Sequence, residues 1–265
     1  NQNEINDYEL QNLDSIYAFK EKIGTVKVSG YVKYPGNYSI SSSDRMLDIL
    51  QRSGGYIDSA YPFGGTLLRK NTKDLETNFA EKTYQNLISY IAANPSNMGN
   101  GSGEGLAYVL SELKNYKPTG RFIAEFDITK LSEDIQNNVY LNDGDEIFIP
   151  SYTSNVFIFG EVGNPGSVLY KDDLTINEYI NKSGGLTRLA SSNYIFIVSP
   201  NGETLRVETN GIRRFITQTY DIYPGSVIYV PRHIGKVDGI NLYATLAPIF
   251  SSLALSIASL NSIND

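Results

Sequence analysis

Apolar and polar positions alternate at Val26 and Val28, and the aromatic pair Phe157 and Phe159 repeats that period-two pattern later in the chain. β-Branched and aromatic residues at this period predict strands. Each strand runs into a proline-glycine pair, Pro35-Gly36 and Pro165-Gly166. Proline presets φ for the second position of a turn, and glycine supplies the positive φ that the third position of a type II turn needs. GYVKYPGNYSI (30–40) and GEVGNPGSVLY (160–170) therefore each read as strand, turn, strand. The period then changes to a helical one. Met46, Leu47, Ile49 and Leu50 share a face, as do Ile176, Tyr179 and Ile180. Thr175 and Glu178 form a capping box, and Ser43 or Asp44 is expected to cap the first helix. Both helices end at Ser-Gly-Gly, where Gly54, Gly55, Gly184 and Gly185 supply left-handed caps.

These elements are one unit written twice. A shift of 130 residues places Gly30 on Gly160, Val32 on Val162, Pro35-Gly36 on Pro165-Gly166 and Ser53-Gly54-Gly55 on Ser183-Gly184-Gly185, without a gap. A second match closes each unit. LNDGDEIFIP (141–150) aligns with IYPGSVIYVP (222–231), and each reads as a turn followed by an exposed edge strand that proline stops. Each unit is expected to be a small mixed sheet packed on one helix, a β-grasp-like plan of the α+β class.

The first unit is much longer between its Ser-Gly-Gly and its closing glycine. Phe79, Tyr84, Leu87, Ile88 and Ile91 recur at helical spacing within 76–93, and Leu106, Val109, Leu110 and Leu113 do so within 106–116. Residues 94–105 between them are a Gly/Asn/Ser loop. A helical hairpin is predicted over about 74–121. It is either a lid on its own domain or a contact with a neighbouring subunit or partner. The expected organisation is an N-terminal linker or helix (1–24), a first β-grasp domain (25–150), a second (151–232) and an apolar, amphipathic C-terminal helix (233–265).

That last segment has no charged residue between Asp238 and Asp265. Leu242, Leu246, Ile249, Leu253, Ile257 and Leu260 fall on one helical face, and Asn241, Thr245, Ser252, Ser256 and Ser259 on another. About 20 helical residues span about 30 Å, the thickness of a bilayer core. A ring of such helices would turn its apolar face to lipid and its hydroxyls to a watery lumen. Packing on the protein's own core and lying flat on a membrane are the other readings, and Pro248 would kink the helix.

Composition narrows the chemistry. The 265 residues carry a net charge of −7, and scattered basic residues argue against nucleic acid as a partner. Arg213-Arg214 is the only adjacent arginine pair, and a solvated surface site explains it. There is no cysteine, so no disulfide, thiol nucleophile or lipid-anchoring cysteine is available in this segment. The polar start has neither an initiator Met nor a signal-peptide core, as expected of a mature chain or an excised segment. With His233 the only histidine, no catalytic triad and no zinc site is expected. The pairs Asp143/Asp145 and Asp172/Asp173 sit in turn and cap positions, which favours structural roles over glycosidase chemistry. No cofactor is expected. Of the 20 tyrosines, Tyr31, Tyr34, Tyr38, Tyr56 and Tyr61 crowd the first hairpin and the loop after its helix. They are candidates for subunit interfaces or for contact with a polymer, since aromatic hydroxyls suit both.

The Val-x-Gly-x-Val strand, Pro-Gly turn, Ser-Gly-Gly helix end and closing Asp-Gly-Asp-x-Ile-x-Ile-Pro resemble the soluble-ligand-binding β-grasp (SLBB) domain. Tandem copies with an apolar tail are similar to bacterial outer-membrane polysaccharide export proteins, the Wza-like group and its KpsD-type capsule subgroup. The resemblance covers roughly residues 25 to 265. It implies a non-enzymatic, homo-oligomeric ring in the periplasm and outer membrane of a Gram-negative bacterium. That ring would pass polysaccharide and meet an inner-membrane or periplasmic export partner, with the tail helices at its membrane end. Nothing here matches the N-terminal export domain that the family usually carries, and the long insertion is not part of the minimal domain. The other reading is a soluble periplasmic module that binds a glycan or small ligand without a channel.

Overall fold

The computed structural model describes residues 11–12, 24–94, 102–191, 194–208 and 220–234. Two five-stranded mixed sheets follow one another along the chain, giving the expected α+β class with tandem β-grasp-like units. The first contains β1 (Gly24–Gly30), β2 (Gly36–Ile40), β3 (Thr66–Leu68), β4 (Arg121–Phe122) and β5 (Glu146–Ile149) in the order β2-β1-β5-β3-β4. The second repeats that order with β6 (Asn155–Gly160), β7 (Gly166–Leu169), β8 (Tyr194–Val198), β9 (Thr204–Glu208) and β10 (Val227–Val230), as β7-β6-β10-β8-β9. The parallel pairs keep one register, Gly30 opposite Ile149 and Gly160 opposite Val230. Helices α1 (Met46–Arg52) and α5 (Ile176–Lys182) take the same place in the two units.

The closing strands are central, which corrects the expectation of an exposed edge: β5 and β10 are each paired on both sides. Pro150 and Pro231 lie one residue past the last paired positions, so their missing N–H is never asked of the ladder.

A second correction concerns the hairpin glycines. Gly36 and Gly166 open β2 and β7 without positive φ. The left-handed residues are Gly30 and Gly160, with φ of 82° and 88°. The chain then crosses to the Ser-Gly-Gly loop. Lys33 and Tyr34 donate their N–H groups to the carbonyls of Gly55 and Ser53, and Gly163 and Asn164 donate to Gly185 and Ser183. The turn and the helix end recur together because each satisfies the other's backbone. At that helix end Gly54 and Gly184 have φ of 79° and 80°, and Gly55 and Gly185 donate to Leu50 and Ile180, as expected of left-handed caps.

The two helix starts differ. Thr175 accepts from the Glu178 N–H and Glu178 returns to the Thr175 N–H, completing the predicted box. In the first unit neither Ser43 nor Asp44 caps. Arg45 holds the N-cap position with its N–H on Asp48, while Val139 O and Asn138 Oδ1 receive the Met46 and Leu47 N–H groups.

The insertion forms α2 (Lys70–Ala93) and α3 (Ser102–Asn115), between β3 and β4, where the second unit has only the turn 199–203; the short α4 (Ile128–Glu133) follows β4. The helices do not close over their own sheet. Leu87, Leu106, Val109 and Leu113 bury themselves with Phe196, Val198, Val227 and Ile234, joined by half-buried Phe157, Phe159 and Tyr229. The hairpin thus covers the second sheet on the face opposite α5, whose own core holds Val156, Ile158, Tyr179, Ile180, Ile195 and Ile228. Phe79 and Ile88, expected on the packed face of α2, are exposed. Phe157 and Phe159 are not the counterparts of Val26 and Val28. Those are Val156 and Ile158, and the phenylalanines occupy the hairpin-facing side.

Among the described residues no helix is long and apolar enough to cross a membrane. Leu242, Leu246, Ile249, Leu253, Ile257 and Leu260 lie outside the described residues, as do Arg213-Arg214 and nearly all of 1–24 and of the 95–101 loop.

Candidate functional site

The five singled-out tyrosines do not form one surface. Tyr31 and Tyr38 are half-buried against the first core, and the Tyr38 hydroxyl donates to the Tyr34 carbonyl. Tyr56 packs on the same core and donates to the Phe126 carbonyl, and burial pushes its phenol far above the usual range. Tyr34 is exposed, with its ring over Gly54. Tyr61 belongs to an aromatic group where the two units meet. Its ring lies 5.4 Å from that of Tyr152 and 6.0 Å from Phe63, which in turn approaches Tyr223 at 4.8 Å. Burial pushes the Tyr61 phenol up to about 12, with Tyr152 and Tyr223 adding to it. Beside this group Arg121 Nη2 donates to the Pro200 carbonyl at 2.5 Å, while Arg121 Nε has no partner. Burial lowers the Arg121 guanidinium to about 10.

The carboxylates are occupied structurally. Asp143 accepts the Thr25 N–H, and buried Asp145 accepts the Asn142 N–H and pairs with Arg69 at 2.8 Å. Asp172 lies beside the Tyr170 hydroxyl and pushes that phenol up to about 12. His233 is exposed, with its backbone N–H on Leu189. No cluster among the described residues could hold a metal ion.

A polar groove of about 520 Å³ opens at the start of α1, lined by Arg45, Arg69, Ile135, Gln136, Asn138 and Tyr140 among others. Its floor is rigid. Arg45 Nη1 donates to the carbonyls of Ile135 (3.0 Å) and Asn138 (2.8 Å), Nη2 donates to the Tyr140 hydroxyl at 2.6 Å, and the guanidinium stacks 3.9 Å from the Tyr140 ring centre. Arg69 adds a bond to the Tyr140 carbonyl and stacks on Phe122. Sequence reasoning missed this site. Its one signal was an arginine at a helix start, where the macrodipole disfavours a cation and the second unit has Thr175.

The SLBB domain family matches residues 25–70 and 155–208, the first parts of the two units. Two polysialic acid transport proteins KpsD of Escherichia coli are each 38% identical to this chain over 78 residues, which is 29% of this chain and 14% of theirs. The match therefore spans about one seventh of those relatives. The chain thus carries two segments that match the SLBB domain, set in units of one strand order, and over 78 residues it is similar to these two transport proteins.

Proposed function

We propose that this chain is part of an oligomeric outer-membrane translocon that exports capsular polysaccharide from a Gram-negative bacterium. The SLBB units form stacked periplasmic rings, the tail helices form the membrane end, and an inner-membrane or periplasmic partner delivers the polymer. The protein performs no chemistry on its cargo. The observation that carries this reading is the tandem SLBB architecture, together with the 78-residue similarity to two polysialic acid transport proteins. The packing of the insertion supports it, because a hairpin fixed across both units lets them turn together as one ring segment. Deleting Gly239–Asp265 in the cell is the test. Release from the membrane fraction with loss of surface polysaccharide is expected, and an unchanged membrane-bound oligomer would contradict the assigned role of the tail.

A further inference from the structure

We propose that the groove beside α1 is a binding site for carboxylate-bearing sugar residues, with Arg45 as its anion-recognising group. This names the cargo chemistry and rests on the polysaccharide-handling reading above. The argument begins with unused donors. A guanidinium has five N–H groups, and Arg45 spends two from Nη1 and one from Nη2 on the protein. Nε–H and one Nη2–H remain, neighbouring donors on the guanidinium suited to the oxygens of a carboxylate. Among the described residues no carboxylate lies within 4.0 Å of this guanidinium, whereas neighbouring Arg69 is neutralised by Asp145.

The side chain is also held still. Two carbonyls, one hydroxyl and the Tyr140 ring fix its plane before any ligand arrives, which lowers the ordering cost of binding. A protein of net charge −7 repels polyanions in general, so an unpaired, preorganised cation in a cleft confines attraction to one place. Exposed Tyr140 and Ile135 on the rim offer apolar contact to a sugar ring, and Gln136 and Asn142 offer amides to its hydroxyls. The groove is of ligand size yet open, which suits a polymer that must leave as readily as it enters. The site belongs to the first unit alone, because Thr175 stands where Arg45 would be in the second.

The test compares a short oligosialic acid with its carboxyl-reduced form, titrated by calorimetry against the whole protein and against Arg45→Gln. We expect the unaltered protein to bind the acid form at least about tenfold more tightly than the reduced form, the scale of a charge-assisted contact. Arg45→Gln is expected to erase that difference, so that the two forms bind alike. The ligand-side comparison needs no mutation, so a folding defect in the variant cannot mask the answer. Equal binding of the two oligomers overturns the carboxylate site but leaves polysaccharide handling intact. No binding of either overturns both. If Arg45→Gln alters only the oligomeric state in mass photometry while discrimination persists, Arg45 serves a protein carboxylate instead, and the proposal falls.

Discussion

A methyl group on Gly30 would sit 2.0 Å from the Ile149 carbonyl oxygen, and one on Gly160 would sit 2.0 Å from that of Val230. Both residues also have positive φ, so clash and strain act together. Gly30→Ala or Gly160→Ala is expected to cost about 3 kcal/mol in chemical denaturation. Gly36→Ala and Gly166→Ala meet nothing within 4 Å and should each stay within about 0.5 kcal/mol. A larger loss at Gly36 would restore the type II turn. The recurrence of these glycines was visible in the sequence, but their division of labour was not. Gly30 is demanded by a strand roughly 120 residues away in the chain, and only pairing with β5 reveals the close approach. Arg45 was illegible for a similar reason, since every acceptor that fixes it lies in 135–140.

At the scale of elements, the strand and helix types were readable because period-two and helical patterns were unbroken in β1, α1, α5 and α3. The target of the hairpin was also written in the chain, though less openly. Strand β1 alternates as Val-Lys-Val-Ser, whereas β6 reads Val-Phe-Ile-Phe and β8 reads Tyr-Ile-Phe-Ile-Val. Continuous apolar runs mark strands covered on both faces, and β6 and β8 carry them where β1 does not. Leu106→Ala is expected to cost about 2–5 kcal/mol and to split a single calorimetric unfolding transition into two, as the units lose their shared core. One unshifted transition would show that the hairpin does not couple them.

The same interface predicts an alkaline limit. Burial raises the phenols of Tyr108 and Tyr229, whose hydroxyls meet at 3.3 Å, and burial with Glu76 nearby raises Tyr116 to about 12. A phenol whose folded value exceeds its unfolded value of about 10 contributes stability that is whole below that pH. This contribution is lost as pH climbs from about 10 toward 12. Denaturation midpoints should fall across that window together with tyrosinate absorbance, and Tyr116→Phe should lessen the fall. A flat midpoint through the window would contradict the packing.

For the whole molecule, the repeat is the feature that turns local chemistry into function. Two copies with one strand order and one register are fastened by a hairpin that grows from the first and covers the second. Among the described residues no group of acidic or histidine side chains could hold a metal ion, and the polar groove beside α1 presents an unpaired cation rather than an acid and a base. Such a body is suited to stacking beside copies of itself and touching a polymer weakly. The central claim is that these copies close into a ring. Two-dimensional class averages of the protein purified in detergent test it most directly. The account predicts closed, rotationally symmetric rings with two periodic layers; particles that remain monomeric while binding oligosaccharide would contradict it.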